Sequence, residues 1–268
     1  MLISIITPVY NSVNNIEANV KSILAQTYRN FNHIIVDNLS KDNSVEIVKN
    51  LYNEAGITEK LKIISEKDNG ISDAFNKGIN AAEGEIIGIL NSDDYYYDHT
   101  VFERAIESFR RDDILFVHGN VLFIDPVYGT NIRRPLLCPL TTAMPYNHPT
   151  MFLRKSVYDR YGLFDLSFRY AMDFEFVCRL EQRITGFRKS GWYIQGDPLT
   201  VMRAGGTSWE NETDSIKEVK SALIMHGRWN NKAKSSYLMR RSRVLLKKYL
   251  QLLKLNIVTK KWRNIKWN

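Results

Sequence analysis

The chain has 268 residues, 44% of them hydrophobic and 25% charged, which allows a sizeable buried core and excludes a disordered, charge-dominated segment. No run approaches the roughly 18 apolar residues of a membrane span, and the only cysteines, Cys138 and Cys178, suit neither a disulfide framework nor a zinc site. The net charge of +8 hides a division: residues 219–268 hold fourteen Lys or Arg and no acid, whereas the first 218 residues hold 23 basic and 29 acidic side chains.

The apolar start "MLISIITPVYN" has no basic leader, so it reads as a buried strand over 2–10 rather than a signal peptide, and a cytoplasmic protein is expected. Ile16, Val20, Ile23 and Leu24 then recur at helical spacing over 14–26. Strands follow at 31–38, 61–65 and 84–91, with helices at about 42–53 and 70–82 between them. Such βα alternation predicts an α/β fold with a mixed, mostly parallel sheet flanked by helices. Beyond residue 112 the pattern loosens. "DILFVHGNVLFID" reads as strands, 133–150 as a Pro-rich connection, 173–184 as a helix, and 191–208 as a strand and loop. The expected organisation is one domain over 1–210, with halves at 1–112 and 113–210, followed by a helical basic tail over 211–268.

Ligands of parallel sheets bind at the carboxyl ends of the strands. Four successive strands here end in polar clusters: Thr7-Pro8 with Tyr10-Asn11, Asp37-Asn38, Glu66 with Asp68, and Asp93-Asp94. By themselves, Asp93 and Asp94 either cap the next helix, which begins near Asp98, or hold a cation.

"SIITPVYN", "IIVDN", "GISDAFNKGINAAEGEIIGILNSDD" and "AMDFEF" stand in the order seen in inverting GT-A glycosyltransferases. From residue 2 to about 208 the chain resembles the large bacterial family two of these enzymes, whose members build O-antigen, capsule and exopolysaccharide. That resemblance implies a nucleotide-diphosphate sugar donor, uridine being the commonest base, and transfer of one sugar to the hydroxyl of a saccharide acceptor carried on polyprenyl diphosphate. It implies that Asp37 accepts the imide N–H of the base, with Thr7, Pro8, Tyr10, Asn11, Asp68 and Asp73 around the nucleotide. A Mn²⁺ or Mg²⁺ ion would be held by Asp94, with Asp93 on the metal or the ribose.

Two positions depart from the family pattern. Ser92 replaces the first acid of an Asp-x-Asp motif, and Phe75 replaces an Arg suited to the diphosphate, a charge that Lys67, the tail or Arg203 would have to supply. Asp173 is the expected general base, because inversion needs a carboxylate to take the acceptor's proton; a helix N-cap is the competing use. His148 and Glu175 fall in the acceptor half, and Arg203-Ala204-Gly205-Gly206 is either a closing loop or a tight turn. The Gln-x-x-Arg-Trp signature of processive synthases is absent from the sequence. A nucleotidyltransferase would place a Gly-rich basic loop after the first strand, where "TPVYNSVNN" has neither Gly nor Lys. A non-catalytic membrane-associated adaptor on this fold is the other alternative.

From Tyr237 the tail forms an amphipathic pattern at ~100° per residue, with Arg240, Arg241, Arg243, Lys247, Lys248 and Lys254 on one side and Leu238, Leu245, Leu246, Tyr249, Leu250, Leu252 and Leu253 on the other. Residues 235–268 are expected to bind an anionic membrane surface, placing the protein peripherally on the inner face of the cell membrane. Packing of the Leu face on the body or on a second copy in a homo-oligomer is the alternative, and the wide Leu stripe argues against nucleic acid.

Overall fold

The computed structural model describes residues 1–126, 129–136, 138–205 and 211–252. Three βα units and a fourth strand come first: β1 Ile3–Val9, α1 Ile16–Leu24, β2 Phe31–Asp37, α2 Ser44–Ala55, β3 Leu61–Ser65, α3 Ile71–Ala81 and β4 Ile86–Ile89. They correspond to the expected elements to within about two residues at each end. Next come β5 Tyr95–Tyr96, α4 Val101–Ser108, β6 Phe116–Gly119, β7 Val121–Asp125 and β8 Gly129–Arg133. The chain continues through β9 Phe152–Arg154, α5 Lys155–Tyr161, α6 Met172–Arg183, β10 Gly191–Ile194, β11 Thr200–Arg203, α7 Glu212–Met225 and α8 Asn231–Leu252.

The main sheet has seven strands in the order β10-β6-β9-β4-β1-β2-β3. The order β3-β2-β1-β4 is parallel throughout, and β9 runs antiparallel to both β4 and β6. A second sheet, β5-β11-β7-β8, is mixed. The sequence reading of 191–208 as a strand followed by a loop is corrected here: Gly196-Asp197-Pro198 separates two strands, of which β10 joins one sheet and β11 the other.

Burial on both faces explains why β1, β2 and β4 read as continuous apolar runs. Ile6, Ile34, Val36, Ile87 and Ile89 pack with Ala74 and Phe75 of α3, Phe174 and Val177 of α6, and Ala222 and Leu223 of α7. Alternate residues, Ile3, Ile5 and Ile86, pack with α1 and α4 on the opposite face. Gly78 lets α3 approach the sheet, since a Cβ there would stand 2.3 Å from Ile6 Cγ2. The core reaches into the tail, where Ala233 of α8 joins the same cluster as Phe174.

One polar chain crosses the interior. His33 Nδ1 lies 2.9 Å from the Tyr52 hydroxyl and Nε2 lies 2.9 Å from Thr7 Oγ1. A neutral imidazole satisfies both, donating with one nitrogen and accepting with the other. Burial pushes His33 down to about 3, against ~6.5 in an unfolded chain. Between those values the unfolded state binds more protons. The contribution of His33 to stability is therefore whole above about pH 6.5 and falls as pH drops toward 3, by up to about 1.4 kcal/mol per unit. Chemical denaturation across pH 7 to 4 is expected to show this loss, with a shallower acid slope in His33→Gln, which starts less stable at pH 7.

Candidate active site

The register aligns Val9 of β1 with Asp37 of β2, and Asp37 with Ser65 of β3. Three strands therefore stop on one line, and β4 ends beside β1, with Leu90 N–H donating to the Ile6 carbonyl at 3.0 Å. The loops leaving this edge are tied to one another. Asn11 N–H donates to Ser40 Oγ at 2.9 Å and Asn11 Oδ1 accepts the Lys41 N–H at 2.9 Å. Ser12 donates its N–H to Ser44 Oγ at 2.7 Å, and its hydroxyl meets that of Ser92 at 2.8 Å. Asn38 Oδ1 accepts the Asp68 N–H at 2.9 Å. Asn11 and Leu39, with φ of 48° and 53°, are the described non-glycine residues in the left-handed region, and both lie in these loops. Such conformations cost on the order of 1–3 kcal/mol and cluster at functional sites.

Asp37 is 2% exposed, and its carboxylate accepts from the Ser40 N–H at 3.1 Å and the Ser65 hydroxyl at 2.6 Å. Those bonds use two of about four lone-pair sites on a carboxylate. Tyr10 is 58% exposed beside it, an open aromatic surface, while Pro8 is half-buried. Asp68 is half-buried at the next loop, where burial raises its pKa and its carboxylate accepts the Gly70 N–H at 2.9 Å. Thr7 is placed otherwise: its side chain is fully buried and committed to His33, so only its backbone borders the edge. Asp73 accepts from the N–H and side-chain amide of Asn69 and pairs with Lys77 at 3.7 Å, closing its own loop.

Asp94 is 2% exposed in the turn after β4. Burial holds its carboxyl well above the usual carboxylate range, and the charge of Asp93 adds to that rise. Burial also raises Asp93, against the opposing charge of Arg203. Arg203, at the end of β11, stands over the Tyr95 ring at 5.5 Å and donates to Asn15 Oδ1 at 3.2 Å. Sequence reading missed Asn19, whose side-chain amide donates to the carbonyls of Asn91 and Asp94, both at 2.9 Å, and fixes this turn. Its signal was available: Asn19 is a polar residue within the buried stripe of Ile16, Val20 and Ile23 on α1.

Among the described residues, no cluster of three or more His, Cys, Asp or Glu side chains encloses a metal. The donors present are all oxygens: Asp93, Asp94, and the Asn91 Oδ1 atom, buried without a partner although its amide nitrogen lies 3.5 Å from Asp94 Oδ2. That set fits a hard divalent cation whose shell is completed by phosphate oxygens and water.

Asp173 opens α6, with Oδ1 accepting the Phe174 N–H at 2.8 Å. It lies on the same edge, because α3, which starts there, clamps the preceding loop. The Ser72 hydroxyl donates to the Phe168 carbonyl at 2.7 Å, and Asn76 exchanges two bonds with the backbone of Phe164. His148, in a 3-10 turn before β9, is pulled down by burial and pushed back up by the charge of Asp173. Beneath it lies Phe75, stacked at 5.9 Å and 1% exposed, a core residue rather than a nucleotide contact. Glu175, in the acceptor half, is placed as an internal tie. It is 2% exposed, pairing with Arg179 at 2.8 Å and with His226 at 3.0 Å. Gly205 has φ of 123°, whereas Gly206 lies outside the described residues.

Sequence reading also missed Glu218 on α7. Its carboxylate accepts the N–H groups of Arg169 at 3.0 Å, Tyr170 at 2.7 Å and Ala171 at 2.8 Å, immediately before Asp173.

The sequence model of glycosyl transferase family 2 matches residues 4–177. A chondroitin synthase of Pasteurella multocida is 31% identical over 68% of this chain and 19% of its own. An uncharacterized glycosyltransferase, EpsJ, of Bacillus subtilis is 30% identical over 88% of this chain and 69% of its own. The chain spans 38% of an uncharacterized glycosyltransferase from Nostoc and 51% of one from Haemophilus influenzae. Among solved structures, S. aureus TarS 1–349 in complex with UDP-GlcNAc matches with TM-score 0.63 and 18% identity, over 84% of this chain and 67% of that one. The mannosyltransferase PcManGT of Pyrobaculum calidifontis, in complex with GDP-Man and Mn2+, matches with TM-score 0.61 and 14% identity over 97% and 83%. The fold is that of GT-A glycosyltransferases, and the chain belongs to glycosyl transferase family 2.

Glu218→Ala leaves three adjacent N–H groups without their acceptor and is expected to cost about 1–3 kcal/mol in thermal unfolding. Glu218→Gln, which keeps one accepting oxygen, is expected to lose less.

Proposed function

We propose that the protein is an inverting glycosyltransferase that moves one sugar from a nucleotide-diphosphate donor, a UDP-sugar first, to a hydroxyl of a saccharide acceptor carried on a polyprenyl diphosphate. The observation that carries this reading is the convergence of three carboxylates from distant stretches, Asp37, Asp94 and Asp173, on one edge of the sheet. Family membership supports sugar transfer, and TarS and PcManGT have been solved in complex with the nucleotide sugars UDP-GlcNAc and GDP-Man.

Asp37 accepts the imide N–H of the base, and Tyr10 offers its exposed ring as one wall of the base pocket. Asp94, with Asp93 and Asn91, would hold a Mn²⁺ or Mg²⁺ ion, which when bound would supply positive charge for the diphosphate leaving group. Arg203 adds a fixed cation beside the same two acids, the charge that Phe75 does not provide. Asp173 takes the proton of the acceptor hydroxyl as the new bond forms on the face opposite the leaving group. His148, within the field of Asp173, lines the acceptor entry.

Nucleotide release measured across a panel of sugar nucleotides, with saccharide acceptors, tests the reading. Asp173→Asn is expected to lower turnover about a hundredfold or more with little change in donor KM. Asp94→Ala is expected to abolish the stimulation by Mn²⁺ or Mg²⁺. Full turnover in both variants would overturn the assignment.

A further inference from the structure

The last fifty residues carry fourteen cations and no acid, and the catalytic reading uses none of them. The structure fixes which side of α8 meets the body. Ala233 and Val244 are 0% and 5% exposed, the Tyr237 ring meets Trp229 edge-on at 5.5 Å, and Arg240 donates to the Thr142 carbonyl at 2.7 Å. At ~100° per residue these four positions project within about 60° of one another. On the far side, Leu238, Leu245, Leu246 and Tyr249 are 63%, 61%, 47% and 60% exposed, with Met239 at 49%. They fill an arc of ~120° centred opposite the docked face. The Leu stripe therefore does not pack on the body; Arg240, from the basic side, does.

We propose that this stripe seats α8 flat on an anionic lipid bilayer. A contiguous apolar surface of this kind marks an interaction site on a protein that otherwise covers its core. Charge selects the occupant. Lys234 and Arg241, both exposed, border the stripe, and no acid follows Glu218. Two copies meeting on this stripe would bring two acid-free basic helices together, whereas an anionic headgroup layer complements both the cations and the apolar side chains. Among the described residues no helix is long and apolar enough to cross a membrane, so the contact is interfacial. Residues 253–268 lie outside the described part; their sequence adds Lys254, Lys260, Lys261, Arg263 and Lys266, with Trp262 and Trp267. The surface belongs to the acceptor side of the molecule, since α8 packs on α7, and α7 on α6, whose first turn carries Asp173. Bilayer binding stands independently of the catalytic reading; its use in reaching a lipid-borne acceptor rests on it.

Co-sedimentation of the full chain with phosphatidylcholine vesicles, with and without phosphatidylglycerol, tests the proposal. Binding is expected to be about tenfold or more tighter with the anionic lipid. The triple variant Leu238→Ser, Leu245→Ser, Leu246→Ser is expected to bind about tenfold or more weakly. Its thermal midpoint and its release of nucleotide with soluble acceptors are expected to stay unchanged, which separates lost docking from lost catalysis. A wild-type chain that stays in the supernatant with anionic vesicles, or a variant that binds as tightly as wild type, would overturn the proposal. So would a concentration-dependent dimer that the variant abolishes, which assigns the stripe to a second copy. Displacement from vesicles by a duplex oligonucleotide assigns the charge to nucleic acid and equally overturns it.

Discussion

Asp94 is a carboxyl group held out of water at the end of a buried strand, and the surrounding loops make sense as answers to that burial. An isolated charge there is costly, so the group binds a proton or finds a counter-charge. Asn19 fixes the turn from within the α1 interface, the Ser12–Ser92 contact ties it to the β1 loop, and Arg203 brings a cation from the second sheet. Asn91 presents one buried amide oxygen without a partner to the same space. A polar pocket this incompletely satisfied is unusual in a finished interior, where buried polar groups are paired. It is the expected condition of a site whose last partner arrives with a ligand.

The second carboxylate is positioned by a different device. Asp173 sits where a long irregular connection enters α6, and such a connection would be mobile if left alone. Ser72 and Asn76 of α3 hold it from one side, and Glu218 of α7 collects three consecutive N–H groups from the other. A charged acceptor shared among several backbone donors is among the stronger hydrogen-bond arrangements. The two halves of the molecule are thus joined at the approach to Asp173. Glu175 and His226 then tie α6 to the end of α7, which ranks α7 with the catalytic body rather than as a loose appendage.

The first three βα units and β4 were legible because their strands are largely apolar runs and their helices keep a clean period. The second sheet was less so: β7 is an apolar run that reads as a strand, but β5 has two residues, β8 is the largely polar Gly-Thr-Asn-Ile-Arg, and β11 has only four residues. Side-chain direction was not legible where sequence proximity stood in for it. Thr7 is one strand position from Pro8, and successive strand residues point to opposite faces, which sends its hydroxyl to His33. Glu175 is two helix positions from Asp173, about 200° around the axis, so it points inward toward Arg179 and His226. Phe75 shares the stripe of Ala74, Gly78 and Ile79 that meets the sheet, a direction that the motif around it concealed. Glu218 gave no signal at all, because its partners are backbone groups nearly fifty residues earlier.

The tail shows the same lesson about direction with the opposite sign. Its amphipathic pattern was legible, but pattern alone leaves open which face a helix turns to its own protein, and the usual expectation is the apolar one. Here Arg240 reaches the Thr142 carbonyl and its stem lies along the contact, as long basic side chains often do on apolar surfaces. Ala233, Val244 and the Tyr237 ring complete that contact, while Leu238, Leu245, Leu246 and Tyr249 are left outside. Burying those leucines against the body would have satisfied the hydrophobic effect at once, so a helix rotated this way forgoes stability of its own. The stripe is thus left for another surface to cover, and an apolar, anionic one complements both it and the cations beside it.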